Sequence, residues 1–421
     1  MLNKYFYKLL IGVFSIFALG VFVPKNVRAI ENPLNFPNNT FGIHILSEAD
    51  IDDAANLVNS SGGEWGYVTL VIRKDERDTT RWQQVFDELR RKKLIPIVRL
   101  ATIQTENGWE KPSFDEIDGW VSFLNSLNWV VENRYVIVGN EPNHAIEWGG
   151  EINPESYGDY LVEISKKLKT TSGDFFILPA GLDASAPNGE DTMSEATFLQ
   201  KMVEEKKDLF NFIDGWSSHS YPNPNFSGPV GAEGRGTLKT YEWELEYLKN
   251  LGLDKELPVF ITETGWAHDM DKNVLGYKSD SLIASYLKKA YMDVWNDSRI
   301  VAITPFVLNY SDSPFDIFSW KKKDGNGFYD FYYEIQKLPK PKGEPNQLNI
   351  GKIIYVLLPQ LTGVTEEAYG IAFMKNVGQA IWEWDNPSEI EVKGEKYEVK
   401  PVTPLNNIEP NEEAFAVFRK I

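Results

Sequence analysis

The sequence predicts an α/β protein, a (β/α)8 barrel followed by a small antiparallel β domain. Between residues 41 and 340, short β-branched runs alternate eight times with segments that carry apolar residues at helical spacing. After a proline-rich linker at 338–345, apolar runs continue without any helical pattern between them. Eight alternations are typical of a closed parallel barrel, whereas consecutive strands without helices are typical of an antiparallel sheet.

The first barrel unit pairs a strand at Phe41–Leu46 with a helix at Glu48–Asn59, and seven similar units follow. Their predicted strands are 67–72, 94–100, 135–138, 175–180, 212–216, 259–262 and 300–308. Their predicted helices are 80–92, 114–131, 154–168, 196–210, 238–251, 279–295 and 328–338. We therefore expect the barrel at residues 41–340 and a sandwich-like β domain at residues 346–421.

The N-terminus has the pattern of a targeting signal. Lys4 and Lys8 precede an apolar run, Leu9–Val23, and Val27-Arg28-Ala29 supplies small residues for cleavage after Ala29. Residues 1–29 are thus predicted to be a signal peptide, which places the mature protein outside the cell or at its surface. The alternative is an uncleaved N-terminal anchor, and only in that case do we expect contact with a membrane.

Charge and composition restrict the partners. The formal net charge is −18, which argues against nucleic acid, because phosphate binding depends on Lys and Arg. Aromatic residues make up 13% of the chain and include 13 Trp, more than a core alone requires. Rings are therefore available to line a cleft for a neutral ligand. The chain has no cysteine, so disulfides and thiolate metal ligands are excluded.

Two predicted strands end in glutamates. The buried run Tyr135–Val138 stops before Gly139 and delivers Asn140 and Glu141, and the seventh strand ends at Glu263. The carboxyl ends of parallel barrel strands lie on one rim, so these side chains should face each other across a cleft. One carboxyl could protonate a leaving oxygen while the other attacks an anomeric carbon, which is glycosidase chemistry.

The residues around both glutamates resemble a known signature. Asn140-Glu141-Pro142 and Thr262-Glu263-Thr264-Gly265-Trp266 are similar to the paired motifs of clan A glycoside hydrolases, the retaining (β/α)8 glycosidases. The resemblance implies that Glu141 is the acid/base, that Glu263 is the nucleophile and that Asn140 contacts the sugar 2-hydroxyl.

Further motifs resemble three different families of the clan, so the sequence does not identify the family. His219-Ser220-Tyr221 is similar to the His-x-Tyr of family 5, in which the Tyr lies beside the nucleophile. Val138–Glu141 and Glu263–Trp266 resemble family 17, and Asn140–Asn143 resembles family 39.

Other candidate substrate-binding residues each have a structural alternative. Arg73 and Arg99 close barrel strands and either position the nucleophile or form ordinary ion pairs. Three tryptophans either stack on sugar faces or cap the barrel. These are Trp148, Trp266 and Trp320. His44, on the first strand, is a further candidate.

The sequence as a whole predicts an exported retaining glycosidase that acts on a β-linked oligo- or polysaccharide as a monomer. We expect no cofactor and no metal, because the four histidines form no His-x-x-x-His motif and no Asp-rich loop accompanies them. The alternative from another class is a cell-surface carbohydrate-binding barrel that has lost catalysis. A retaining enzyme requires Glu141 and Glu263 to stand about 5 to 5.5 Å apart. We also expect Tyr221 to hydrogen-bond Glu263.

Overall fold

A computed structural model describes residues 30–268, 276–357, 369–383, 388–392, 395–401 and 407–420. The predicted signal peptide, residues 1–29, lies outside the described residues. Across the described part of the chain, every helix is too short or too polar to cross a membrane.

Eight parallel strands form the barrel in chain order. They are β1 (Gly42–Ile45), β2 (Gly66–Arg73), β3 (Leu94–Ala101), β4 (Arg134–Val138), β5 (Phe175–Pro179), β6 (Trp216–His219), β7 (Val259–Glu263) and β8 (Ile300–Ile303). Strands β1 to β5 form one hydrogen-bonded sheet, and β6 to β8 form another. Parallel bridges from Asp183 to His219 and from Phe41 to Ile303 join the two sheets. The barrel is therefore closed, and the predicted fold class is confirmed.

A helix follows each strand and packs its apolar side on the barrel. The helices are α1 (Ile51–Val58), α2 (Thr79–Arg91), α3 (Ile117–Ser126), α4 (Pro154–Thr171), α5 (Glu195–Glu205), α6 (Thr240–Asn250), α7 (Asp280–Lys289) and α8 (Asp330–Gln336). Capping residues in the sequence explain where the helices begin. In α4, for example, the Asn153 side chain accepts the Ser156 N–H, and Pro154 occupies a first-turn position that needs no N–H donor.

Aromatic side chains fill the lower end of the barrel. Tyr67, Tyr135, Phe176 and Phe260 are each the second residue of their strand. The Tyr135 ring lies 5.1 Å from that of Phe176 and 5.3 Å from that of Phe260, measured between centroids. Because this layer is closely packed with aromatic rings, the space for polar chemistry is at the opposite end, where the strands finish.

Five antiparallel strands follow the barrel. They are β9 (Gly351–Leu357), β10 (Tyr369–Asn376), β11 (Ser388–Val392), β12 (Glu395–Pro401) and β13 (Glu413–Lys420), in the spatial order β9-β10-β13-β12-β11. The described residues form one sheet here, in place of the two sheets of the predicted sandwich. Met374 and Ala414 on one face pack against Trp382 and Ile408, so an irregular segment covers this face where a second sheet was expected.

The C-terminal sheet contacts the barrel at the end remote from the glutamates. The side-chain amide of Gln347 donates to the Val130 carbonyl (2.7 Å), and that of Gln379 donates to the Val131 carbonyl (2.9 Å). Asn128 donates in turn to the Gly378 carbonyl (2.8 Å). Since 128–131 precede β4, these contacts lie at the amino ends of the strands. We therefore expect the C-terminal region to stabilise the barrel without taking part in chemistry.

Deleting residues 346–421 should lower thermal stability, because it leaves the buried carbonyls of Val130 and Val131 without their donors. Any catalytic rate constant per folded molecule should stay within about threefold of that of the full chain. Thermal unfolding and active-site-normalised kinetics would check this, with Gln379→Ala as a milder variant that removes one contact. A soluble, stable truncated protein that has lost only polymer binding would instead indicate a carbohydrate-binding module.

Candidate active site

The backbone at the end of β4 is strained where it presents Glu141. Gly139 and Glu141 both have positive φ, +88° and +30°, and a non-glycine residue rarely adopts such an angle. Two hydrogen bonds hold this turn, from the Glu141 N–H to the Gly181 carbonyl (3.1 Å) and from the His144 N–H to the Glu141 carbonyl (2.9 Å). Strain of this kind persists where the surroundings enforce it, which is common at functional sites.

Glu263, the last residue of β7, lies opposite Glu141 and is 9% exposed. The predicted hydrogen bond is present, because the Tyr221 hydroxyl donates to Oε2 of Glu263 at 3.0 Å. Carboxylate oxygens of Glu141 and Glu263 lie within 4.8 Å of each other. The structure thus brings together the two glutamates and the tyrosine that the sequence placed on this rim.

His219 lies between the two glutamates. The side chain is 3% exposed, and its Nδ1 is 2.7 Å from Oε1 of Glu141 and 3.8 Å from Oε2 of Glu263. The ring packs directly on Gly181, where an added Cβ would overlap it. Gly181 therefore serves the site twice, as the acceptor for the Glu141 N–H and as the space for His219.

The charge of His219 follows from these neighbours. Burial alone would lower the pKa of this imidazole, but the carboxylates of Glu263 and Glu141 outweigh it and raise the pKa to about 9. His219 is thus a cation at neutral pH, and its Nδ1–H donates to Glu141.

The raised pKa of His219 predicts a pH-dependent stability. A group whose pKa rises on folding, here from 6.5 to about 9, stabilises the fold fully below 6.5 and loses that contribution as the pH rises through 9. At about 1.4 kcal/mol per unit, the unfolding free energy of the wild type relative to His219→Asn should fall by about 3 kcal/mol over this window. Chemical denaturation of both proteins from pH 6 to pH 10 measures it, and a pH-independent difference would contradict a charged His219.

Two further predicted residues lie in the barrel interior below the glutamates. His44 on β1 is fully buried, and neither ring nitrogen has a hydrogen-bond partner among the described residues. Burial, together with the charges of Arg99 and His219, holds the pKa of His44 well below its usual range, so this imidazole is neutral. Arg99 on β3 acts electrostatically on His44 and His219 and has a buried Nε without a partner in the described structure. Both residues therefore border the site.

Arg73 does not reach the site, which corrects the prediction that it lines the cleft. Its side chain is 40% exposed and pairs with Asp75 at 3.1 Å and with Glu76 at 3.5 Å. The strand register gives the reason. Val71 is level with Arg99, so Arg73 stands two residues further along, beyond the rim, where the chain already turns.

The three tryptophans predicted to stack on sugars are also placed differently. Trp148, Trp266 and Trp320 are 1%, 2% and 3% exposed, so no ring face is open to a ligand. Trp148 packs edge-on against Tyr157, and Trp266 donates its indole N–H to the Gly228 carbonyl at 2.8 Å. Trp320 meets Phe331 edge-on. All three belong to the core around the rim, and the stacking interpretation is wrong for them.

A different aromatic cluster flanks Glu263. Phe226 and Phe318 pack on the Tyr221 ring at 5.0 and 5.8 Å, and Phe306, just after β8, meets the His44 ring at 5.2 Å. Phe226 and Phe306 are only partly buried, so they are better placed than the tryptophans to contact a ligand. The sequence did not single out Phe306, because the predicted eighth strand, 300–308, includes it, whereas the observed strand ends at Ile303.

Two polar groups of the rim were not predicted. His144 pairs with Asp183 at 2.9 Å, and this hydrogen bond raises the pKa of His144. Glu147 ends a short 3-10 turn, Ala145–Glu147, and burial raises the pKa of its carboxyl to about 7, with Arg99 opposing the rise. Both groups follow β4 closely, but neither lies at a strand end, the position at which the sequence pattern predicts functional residues.

Glu141, His219 and Glu263 form the one group among the described residues whose donor atoms are close enough to share a metal ion. The hydrogen bond and charge pairing within the group already account for their proximity. No histidine of the described chain joins them as a second imidazole ligand in that group.

No protein-family model matches this chain, and no curated protein matches it either. Solved structures do. A monomeric beta-xylosidase from Caulobacter crescentus CB15 is 13% identical over 91% of this chain and 97% of its own, with a TM-score of 0.48. An endo-beta-1,4-glucanase from Xanthomonas axonopodis pv. citri is 15% identical over 71% and 98%, with a TM-score of 0.46. A beta-mannanase from Thermomonospora fusca is 11% identical over 70% and 89%, with a TM-score of 0.43. The similarity lies in the path of the backbone and does not extend to the sequence.

Proposed function

We propose that this protein is an exported retaining glycoside hydrolase that cleaves β-linked oligo- or polysaccharides by double displacement. The observation that carries the proposal is the separation of the two rim carboxylates. Oxygens of Glu141 and Glu263 within 4.8 Å fit the separation of about 5 to 5.5 Å at which a nucleophile touches the anomeric carbon directly. An inverting pair stands about 6.5 to 9.5 Å apart to admit a water.

The two carboxyls have separate roles in this mechanism. Glu263 attacks the anomeric carbon while Glu141 protonates the departing glycosidic oxygen, so that a glycosyl ester forms on Glu263 as the carbon–oxygen bond breaks. Glu141, now a carboxylate, takes a proton from water, which attacks the same carbon and releases Glu263. Tyr221 supports the first step, because its hydroxyl holds one carboxylate oxygen of Glu263 in place.

Neighbouring groups support a neutral sugar as the ligand. Asn140 is next to Glu141 and has a buried carboxamide oxygen without a partner in the described structure, which suits it to contact the sugar 2-hydroxyl. Phe226 and Phe306 offer apolar contact beside the nucleophile. The net charge of −18 disfavours polyanionic ligands. Export rests on the signal pattern of residues 1–29, and we expect a monomer without a cofactor.

Hydrolysis of a panel of β-linked plant, fungal and bacterial wall glycans and aryl β-glycosides tests the proposal. The anomeric configuration of the first product is read by proton NMR before mutarotation. Retained β configuration is the expected result. An inverted product would defeat the double-displacement mechanism, and binding without any turnover would support the alternative of an inactive carbohydrate-binding barrel.

A further inference from the structure

Glu141 stands in a backbone conformation that a glutamate does not favour. Its φ of +30° lies in the left-handed region, two residues after Gly139 at +88°. A non-glycine residue keeps such an angle only where the contacts around it hold the backbone in place. The contacts that hold this turn therefore also decide where the Glu141 carboxyl points.

Asn143, two residues after Glu141, ties the turn to the loop that follows β5. Its side chain is fully buried and makes three hydrogen bonds. The amide nitrogen donates to the carbonyls of Asp183 (3.0 Å) and Met193 (3.1 Å), and the amide oxygen accepts the Asp183 N–H (3.2 Å). Both amide hydrogens and the oxygen are thus engaged, which leaves the side chain a single orientation.

The loop after β5 is the segment against which Glu141 has to be aligned. Its Gly181 carbonyl accepts the Glu141 N–H at 3.1 Å. Two residues further on, Asp183 forms a parallel bridge with His219, whose Nδ1 is 2.7 Å from Oε1 of Glu141. The loop therefore reaches Glu141 at its backbone through Gly181 and at its carboxyl through His219, and Asn143 fastens the turn to that loop.

From this arrangement we propose that Asn143 is a positioning residue for the proposed acid/base. By holding the turn 139–144 against the loop after β5, it keeps Glu141 in its left-handed conformation and its carboxyl beside His219, in place to protonate the leaving oxygen. Asn143 itself touches no substrate, because its buried amide is already engaged by the protein. The inference rests on the proposed function, since it takes Glu141 as the group that delivers the proton.

The test is the dependence of kcat/KM on the leaving group, measured with aryl β-glycosides of the sugar that the wild type cleaves fastest. Asn143→Ala should lower kcat/KM for the phenyl glycoside by about 10- to 50-fold, part of the 10² to 10⁴-fold that general acid catalysis usually contributes. The 2,4-dinitrophenyl glycoside needs no proton, so its kcat/KM should change by less than about threefold. A purely structural role would not separate the two substrates.

Asn376→Ala is the matched control. Asn376 lies in the C-terminal sheet, is also fully buried and makes the same set of bonds. Its amide nitrogen donates to the carbonyls of Ala380 (2.8 Å) and Ile408 (3.0 Å), and its oxygen accepts the Gly378 N–H (3.0 Å). Removing these bonds should lower the thermal stability as Asn143→Ala does, but leave the dependence on the leaving group unchanged.

Asn143→Ala should still fold, because other contacts between the same segments remain. The Met193 N–H donates to the Asn143 backbone carbonyl at 2.9 Å, and the His144 side chain pairs with Asp183 at 2.9 Å. Asn143→Ser is a milder variant, since its hydroxyl retains one donor, and it should lie between the wild type and Asn143→Ala.

A second readout does not depend on turnover. Because the Glu141 carboxylate helps to raise the pKa of His219 to about 9, a displaced Glu141 should lower this pKa in Asn143→Ala and leave it unchanged in Asn376→Ala. NMR titration of the His219 ring measures it. An equal loss of kcat/KM on both substrates, or an unchanged pKa of His219, would overturn the positioning role. If the wild type cleaves no β-glycoside, the proposed function fails, and the titration alone decides whether Asn143 positions Glu141.

Discussion

Replacing Glu263 with Gln should reduce kcat on β-glycosides by roughly four to six powers of ten, the scale of loss found when a catalytic nucleophile is removed. The amide cannot form the glycosyl ester, and it lacks the negative charge that faces an oxocarbenium-like transition state. The substitution changes little else. The Gln side chain has the same shape, and its carbonyl can still accept the Tyr221 hydroxyl that now bonds Oε2 of Glu263 at 3.0 Å.

Steady-state kinetics, with thermal unfolding to show that the fold is intact, measure this loss. Glu88→Gln makes the same chemical change on the outer surface of α2, where Glu88 pairs only with neighbouring basic residues, and should leave kcat unchanged. Undiminished turnover in Glu263→Gln would remove this residue from the mechanism.

The parts of the site that the sequence predicted well share one physical origin. A strand that is apolar on both faces has to be central and parallel, and the chain has to turn where that strand ends. Glu141 and Glu263 follow such strands directly, so their place on a common rim is dictated by the barrel. Their approach to within 4.8 Å then depends only on the length of two glutamate side chains directed over the same opening.

Side-chain direction beyond the strand end could not be derived in this way. Arg73 and Arg99 look equivalent in the sequence, since each closes a strand. Their levels in the barrel differ by two residues, and this register places Arg99 inside and Arg73 in solvent. Trp266 is the last residue of the motif around Glu263, yet its indole turns back to the Gly228 carbonyl. The direction of each of these side chains depends on which loop packs over that part of the rim.

Glu147 was missed for a related reason. Its position in the sequence, six residues after Glu141, carries no periodic signal, because a 3-10 turn intervenes. Only the fold shows that the carboxyl is buried at this turn, which raises its pKa to about 7 with Arg99 opposing the rise. The C-terminal region is a comparable case. Its strand pattern was recognisable, but whether one sheet or two would form depended on how the segment around Trp382 and Ile408 packs.

The structure also shows a contact to Glu141, the proposed acid/base, that the sequence did not predict. The resemblance placed a tyrosine beside the nucleophile, and Tyr221 is found there, but His219 in the same motif contacts Glu141 at 2.7 Å. This buried cation is balanced by the two glutamates. Removing Glu141 therefore affects both chemistry and charge, and the dependence of the rate on the leaving group separates the two.

Glu141→Ala should slow hydrolysis of substrates with poor leaving groups by about 10² to 10⁴-fold, the usual contribution of general acid–base catalysis. Formation of the glycosyl ester from a 2,4-dinitrophenyl glycoside should be nearly unaffected, because that leaving group departs without a proton. Glu141→Gln is the matched control for side-chain volume, since it lacks the carboxylate as Glu141→Ala does but leaves no space beside His219. Both variants should therefore show the same dependence on leaving group.

Azide then separates the two glutamates by stereochemistry. In Glu141→Ala the small anion enters the space of the missing carboxyl and attacks the ester on Glu263, so the product is the β-glycosyl azide, with configuration retained. In Glu263→Ala azide enters from the opposite side and displaces the leaving group directly, which gives the α-glycosyl azide. Proton NMR of the two products distinguishes them. An α-azide from Glu141→Ala, or a β-azide from Glu263→Ala, would mean that the roles of acid/base and nucleophile are exchanged between these two residues.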